Sequence, residues 1–210
     1  MTEPSHSTAT RAEYNALAHV YDQRWAAYVA ASNRATLHRC PPSPGARVLD
    51  IACGTGELLV ALAGAYPQVH ATGIDLSEPM LHVAAAKPGT AGRLACADAH
   101  TLPFADGAFD RVYTVSALHY LPDPGLALRE ARRTLAPGGR LVVTDWCHDF
   151  IGVRLLAWLL PRLGRAHVKT YSAEELRSLL EEAGLVVEKL DTYKITRFWG
   201  LMTAVAGAGV

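Results

Sequence analysis

Residues 48–59, VLDIACGTGELL, pass from an apolar run through an acid and two glycines into a second apolar run with helical spacing. A regular alternation follows. ARVLDI reads as a buried strand and GELLVALAGAY as a helix; VHATGID reads as a strand and SEPMLHVAAAK as a helix that Ser77 can cap. GRLACAD and FDRVYTVS add strands, DPGLALREARRTLA a helix ended by PGG, and RLVVTDW a strong strand. Strands alternating with helices pair in parallel through right-handed crossovers. The chain is therefore expected to form a doubly wound α/β sheet with helices on both faces.

The flanks read differently. The first dozen residues are polar and are expected to be disordered. AEYNALAHVYDQRWAAYVAA then spaces Leu17, Val20, Trp25, Tyr28 and Val29 compatibly with one or two helices, and CPPSPG at 40–45 ends this flap. Downstream, DFIGVRLLAWLLPRLG predicts a helix that Arg154, Pro161 and its shortness disqualify as a membrane span. It is expected to be a lid or pocket wall, with Leu155, Leu156, Trp158 and Leu159 toward the substrate. YSAEELRSLLEEAG carries a capping box from Ser172 to Glu175 and a stop at Gly184, and LVVEKLDTYKI with FWGLMTAVAGAGV reads as an antiparallel edge hairpin.

At 210 residues one domain is the default, since domains run to roughly 100–200 residues. The expected division is a tail and helical flap over 1–45, a core over 46–146, and a cap helix, last helix and terminal strands over 147–210. Twenty basic residues balance twenty acidic ones, so no field attracts a phosphate backbone and nucleic acid is an unexpected partner. No basic start with an apolar run suggests a secretory leader, and the expected location is the cytoplasm. Cys40, Cys53, Cys96 and Cys147 form no C-x-x-C pair and read as reduced thiols. DWCHDF gathers Asp145, Cys147, His148 and Asp149, but successive residues diverge and no second ligand group stands at familiar spacing, so no metal is expected.

In an open parallel sheet, ligands bind beyond the carboxyl ends of the strands, where the strand order reverses. DIACGTGE is such a loop. Gly54 and Gly56 let the backbone turn and approach a ligand, while Asp50 places a negative charge where a phosphate would be repelled. The loop therefore prefers an amine or sulfonium. Asp75, about 20 residues on at the next strand's end, suits ribose hydroxyls. Asp98 can accept from an exocyclic amine, and Ala99 offers a backbone N–H to a ring nitrogen. Leu76 is favoured over Met80 to lie against the ring. These groups describe an adenosine with a cationic, amino-acid-like tail.

VLDIACGTGE, GIDLSEPML, ADAHTLPFADGAFDRVYTVSALHYLPDP and LAPGGRLVVTDW resemble, in order, the motifs of class I S-adenosylmethionine-dependent methyltransferases. The resemblance is to the small-molecule branch that includes the ubiquinone and menaquinone biosynthesis enzymes, and it covers roughly residues 46–146. It implies S-adenosylmethionine as cofactor and a seven-stranded, mostly parallel Rossmann-like sheet with one inserted antiparallel strand. Ala52 stands where glycine is commonest, followed by Cys53, and is small enough to leave the backbone path open. The resemblance assigns Asp50, Ala52, Gly54, Gly56, Asp75, Leu76, Asp98, Ala99 and Ser116 to the cofactor. His119, in SALHYLPD, becomes a candidate base or pocket residue, with the flap tyrosine Tyr21 as its possible catalytic partner. Tyr14 and Trp158 become candidate substrate contacts.

The expected activity is methylation of an oxygen, nitrogen or carbon on a small, fairly apolar acceptor, by a monomer or homodimer without an integral membrane segment. A cyclase or scaffold that keeps the cofactor without transferring its methyl is the alternative. A nicotinamide-dependent reductase is disfavoured by Leu59, where the dinucleotide motif needs glycine, and by the lack of a Y-x-x-x-K pair. Nucleic-acid methylation is disfavoured by the charge and by the lack of a D-P-P-Y tetrapeptide.

Overall fold

A computed structural model describes residues 6–90, 93–163 and 169–209. Helices α1 (His6–Leu17) and α2 (Tyr21–Arg39) lead into strand β1 (Arg47–Ile51), helix α3 (Glu57–Ala65), β2 (His70–Asp75), α4 (Glu78–Ala85) and β3 (Leu94–Cys96). β4 (Phe109–Val115), α5 (Pro124–Thr134), β5 (Leu135–Trp146), α6 (Ile151–Leu159), α7 (Ala173–Glu182), β6 (Leu185–Lys194) and β7 (Gly200–Ala208) complete the order.

The seven strands form one sheet in the order β3-β2-β1-β4-β5-β7-β6. All pairs from β3 to β5 are parallel, while β7 runs antiparallel between β5 and β6. Four of the five β1 residues are buried, as expected for a strand covered on both faces. Val48, Tyr113, Val142 and Val205 meet Leu37 of α2 and Leu58, Leu59 and Leu62 of α3 on one face. Leu49, Val112, Leu141 and Val143 meet Ala127, Leu128 and Ala131 of α5 and Leu176 and Leu180 of α7 on the other.

The capping signals hold. Ser77 accepts from the Met80 N–H, and Ser172 and Glu175 form the full capping box; Asp123, not singled out from the sequence, accepts from the Leu126 N–H and caps α5. Two expectations need correction. The polar beginning is helical from His6 onward, because α1 packs on α4 and its Asn15 side chain bonds Ser77 Oγ at 2.6 Å. The LAPGG segment is not a turn after α5. It belongs to the twelve-residue β5, whose register against β4 shifts between Phe109 and Arg111. Among the described residues no helix is long and apolar enough to cross a membrane.

The strand order reverses between β1 and β4, so the loops after β1, β2, β3, β4 and β5 converge on one rim. The α1–α2 flap is tied down over that rim. Thr55 Oγ1 donates to Asp22 Oδ1 at 2.6 Å, and Lys87 bridges Asp22 and Glu57 at 2.6 and 2.5 Å. At the far end of α2, Thr36 Oγ1 donates to Thr144 Oγ1 at 2.8 Å inside the core.

Candidate cofactor and acceptor site

Three adjoining cavities lie under the flap, and Tyr21 and Ser116 line all three. The first is walled by Ala52, Gly54, Asp75, Leu76, Asp98 and Ala99 with Tyr14 of the flap. The second holds Asp50, Ala52, Gly54 and Thr55 against Tyr28, Ser32 and Asn33 of α2. The third is aromatic: Trp25, Tyr28, Tyr120, Trp146, Trp199 and His119, closed by Leu156 and Leu160.

The β1 loop is built by its neighbours. Asp75 Oδ2 accepts the Gly54 N–H and Oδ1 the Ser77 N–H, both at 2.8 Å, and the Leu76 N–H also reaches this carboxylate. A Cβ on Gly54 would meet nothing within 4 Å, so this backbone faces open space. Gly56 is different: it adopts φ +79 at the head of α3, and its Cβ would sit 3.0 Å from that of Ala84. It shapes the loop and lines none of the three cavities. Leu59 has a matching explanation. It packs onto Gly73 of β2, where a Cβ would lie 2.7 Å from Leu59 Cδ1, so the close helix–sheet approach is provided from the strand.

Ala52 and Ser116 are the described non-glycine residues with positive φ, at 59° and 57°, and both line the cleft. The glycine common at the Ala52 position is thus a matter of backbone conformation as well as size. A left-handed L-residue costs roughly 1–2 kcal/mol. Ala52→Gly is expected to raise stability by on the order of 0.5–1 kcal/mol once the looser unfolded chain is subtracted. A shifted denaturant midpoint at constant slope checks this.

Asp50 is buried and its carboxylate has no hydrogen-bond partner among the described residues. Burial, and then the charge of Asp75, push its pKa well above the usual carboxylate range. Burial also raises Asp75, against the pull of its backbone donors. A desolvated carboxylate without a donor suits a cation. Asp98 is more exposed and is held by His100, whose Nδ1 lies 2.6 Å from Asp98 Oδ1.

His119 is buried in the short 3-10 turn Leu118–Tyr120. Its ring stacks on Trp146 at 4.3 Å and 19°, and its Nδ1 lies 2.5 Å from Oδ1 of the equally buried Asp145. A carboxylate oxygen can only accept, so Nδ1 carries the proton and Nε2 is left as the acceptor. The Asp145 Oδ2 also accepts the His119 backbone N–H at 3.1 Å, fixing the turn to β5. Tyr28, which the sequence marks only by its helical spacing in the flap, links the parts: Trp146 Nε1 donates to its hydroxyl at 2.8 Å, and the hydroxyl lies 2.6 Å from Ser116 Oγ.

Burial foremost, then Tyr120 and Asp75, pushes the Tyr21 pKa upward, and Tyr14 is raised likewise. Both are neutral phenols, able to donate but poorly suited to act as bases. Trp158 does not line the third cavity. On α6 the residues Val153, Leu156 and Leu160 turn inward, so Leu155, Trp158 and Leu159 project outward, and Arg162 stacks 3.8 Å over the Trp158 ring. Leu160→Ala is accordingly expected to raise the acceptor's Michaelis constant and Trp158→Ala to leave it unchanged for a water-soluble acceptor, as steady-state kinetics can check. The DWCHDF side chains diverge: Asp145 serves His119, Cys147 donates to Asp149, and His148 pairs with Thr170 at 2.7 Å.

A switch-point crevice with a ribose-type acid, an open glycine loop and an unpartnered carboxylate defines a doubly wound protein that binds a nucleoside with a cationic tail. Comparison with known proteins specifies it. The family described as "Methyltransferase domain" matches residues 23–190. The 27-O-demethylrifamycin SV methyltransferase of Amycolatopsis mediterranei is 33% identical over 91% of this chain and 78% of its own. Demethylmenaquinone methyltransferase of Staphylococcus aureus is 33% identical over 68% of each chain. The solved [4+2]-cyclase SpnF superposes with a TM-score of 0.78 at 20% identity, over 100% of this chain and 99% of its own. The chain belongs to the S-adenosylmethionine-dependent methyltransferase family, and its cofactor is S-adenosylmethionine. The cleft fits that molecule on two features of its own: the donor-free buried Asp50 and the open cradle at Gly54.

Proposed function

We propose that the enzyme methylates a hydroxyl of a small, largely apolar, ring-containing acceptor held in the aromatic cavity, with His119 as the base and Asp145 as its positioning residue. The His119–Asp145 pair against that cavity carries this reading. When bound, the cofactor supplies a methyl group activated by its sulfonium. The remaining work belongs to the chain. Asp75 takes the ribose, Asp98 and Ala99 the adenine, Leu76 its apolar face, and Asp50 the cationic tail. Ser116 lies where the three cavities meet. Trp25, Trp146 and Trp199 exclude water and orient the acceptor ring, and such alignment is worth about 7–11 kcal/mol of a barrier. His119 Nε2 takes the hydroxyl proton, and Asp145 keeps the ring in the tautomer that can do so.

Both named relatives methylate small molecules by their names, and one of them at an oxygen, which supports the hydroxyl. A cyclase on the same fold supports a second reading, in which the cofactor is retained without transfer. Incubating the protein with methyl-labelled cofactor and a cell extract, then searching by mass spectrometry for a product heavier by one labelled methyl, decides between them. A cytoplasmic setting is part of the proposal, supported by four unpaired thiols.

Asp50 makes a further prediction. Its raised folded pKa means that the ligand-free fold loses stability as pH climbs from the unfolded carboxylate value towards the folded one. A cation beside it lowers that pKa. Cofactor binding is therefore expected to release protons at pH values between the bound and the ligand-free pKa of Asp50, and affinity to rise with pH until Asp50 is ionised and then level off. Calorimetry in two buffers of different ionisation enthalpy counts the protons, and a count of zero throughout would remove Asp50 from the tail.

A further inference from the structure

Helix α6 is apolar on both sides. Its inner side, through Leu156 and Leu160, closes the aromatic cavity, but Ile151, Leu155 and Trp158 on its outer side are 80, 63 and 56% exposed. Their spacing of four and three places them on one stripe. Phe198, 76% exposed, belongs to the same patch, because its carbonyl lies 2.7 Å from where a Cβ on Gly152 would stand.

Basic residues surround this patch. Arg154 is exposed on the helix, Arg162 stacks on Trp158, Lys194 lies 5.6 Å from the Phe150 ring centre, and Arg197 directly precedes Phe198. From Phe150 to Ala173 the sequence contains no Asp or Glu. The preceding acid, Asp149, is exposed at the start of the helix and is engaged by the Ala173 N–H and the Cys147 thiol. A contiguous apolar row with tryptophan and a basic rim, on a helix that itself carries no acid, is the composition of a helix that lies in a lipid interface.

We infer that the outer face of α6, with the adjoining 195–199 loop, docks onto an anionic lipid surface. A second copy of this chain fits less well, because a two-fold contact through the stripe would bring the Arg154 and Arg162 side chains of both copies together. A lipid surface answers both features: its acyl boundary takes Ile151, Leu155, Trp158 and Phe198, and its headgroups take the arginines. The helix that touches lipid on one side walls the acceptor cavity on the other, a layout suited to an acceptor dissolved in the membrane.

Sedimentation of the full chain with vesicles tests this without any methyl transfer, so its outcome is separate from that of the proposed activity. Binding is expected to phosphatidylglycerol–phosphatidylcholine vesicles, weakening with salt, and to be slight with phosphatidylcholine alone. Ile151→Glu with Leu155→Glu is expected to lower the partition by about tenfold or more, the worth of a buried leucine. Arg154→Glu with Arg162→Glu is expected to lower it by roughly fivefold per charge or more. All variants should bind S-adenosylmethionine as the parent does, which shows them folded. No sedimentation with anionic vesicles, or sedimentation that the glutamates leave unchanged, overturns the inference. So does a light-scattering dimer that Leu155→Glu dissociates while vesicles bind neither form, because the patch then belongs to a second copy.

Discussion

His119→Ala is expected to lower turnover by about 10²–10⁴-fold, the usual worth of a general base, with cofactor affinity nearly unchanged. The ring lines the aromatic cavity and not the first cavity, where the proposal places adenosine, so its loss should leave the cofactor's contacts in place. Activity should partly return at high pH, where a phenolic acceptor ionises by itself. Asp145→Asn separates a base from a packing residue. The amide can present a donor to Nδ1 and favour the wrong tautomer, so turnover should fall by about 10²-fold or more while the acceptor's Michaelis constant moves little. If His119→Ala keeps most of its turnover and loses acceptor affinity instead, His119 is a pocket residue and transfer proceeds by proximity.

Asp75→Ala is the second large effect. Cofactor binding should weaken by about 1.5–3 kcal/mol, the range for hydrogen bonds to a charged group. Read from the sequence, Asp75 is a ribose contact at a strand's end, and its removal is expected to leave the domain folded. The structure changes that expectation, because Asp75 also accepts the Gly54 and Ser77 N–H groups, and orphaning them costs about 1–3 kcal/mol each. The alanine variant should therefore be both less stable and weaker in binding. Asp75→Asn keeps an acceptor for one of those donors and should recover stability more than affinity. Calorimetry on samples matched for folded fraction reads the difference. Asp98→Ala should cost less, since Asp98 is partly solvated and shared with His100.

Much of the sheet was legible because many of its elements announce themselves locally: the apolar run of β1, the Ser77 cap, the Ser172–Glu175 box. The candidate cofactor residues could be picked out because they sit at strand ends, where this fold places ligands, and all of them but Gly56 line the cleft. What remained hidden depends on contacts between distant residues. Thr55 meets Asp22 across 33 positions, His119 meets Asp145 across 26, and Tyr28 reaches Trp146 across 118, with no pattern in the chain marking any of these pairs. The direction of Trp158 was hidden for another reason. A helix apolar on both sides has no periodic signal to say which side is inward, and only the seating of Val153 and Leu156 settles it. The β5 start was obscured by Pro137 and Gly138, turn residues by composition that the irregular β4–β5 register absorbs.

The division of the cleft is the centre of this account, and a crystal structure with S-adenosylhomocysteine tests it most directly. The account predicts ribose hydroxyls on Asp75, adenine against Leu76, Asp98 and Ala99, and the amino-acid tail turned to Asp50, leaving the aromatic cavity beside His119 for the acceptor. An adenine ring stacked among Trp25, Trp146 and Trp199, with Asp75 untouched, would contradict it.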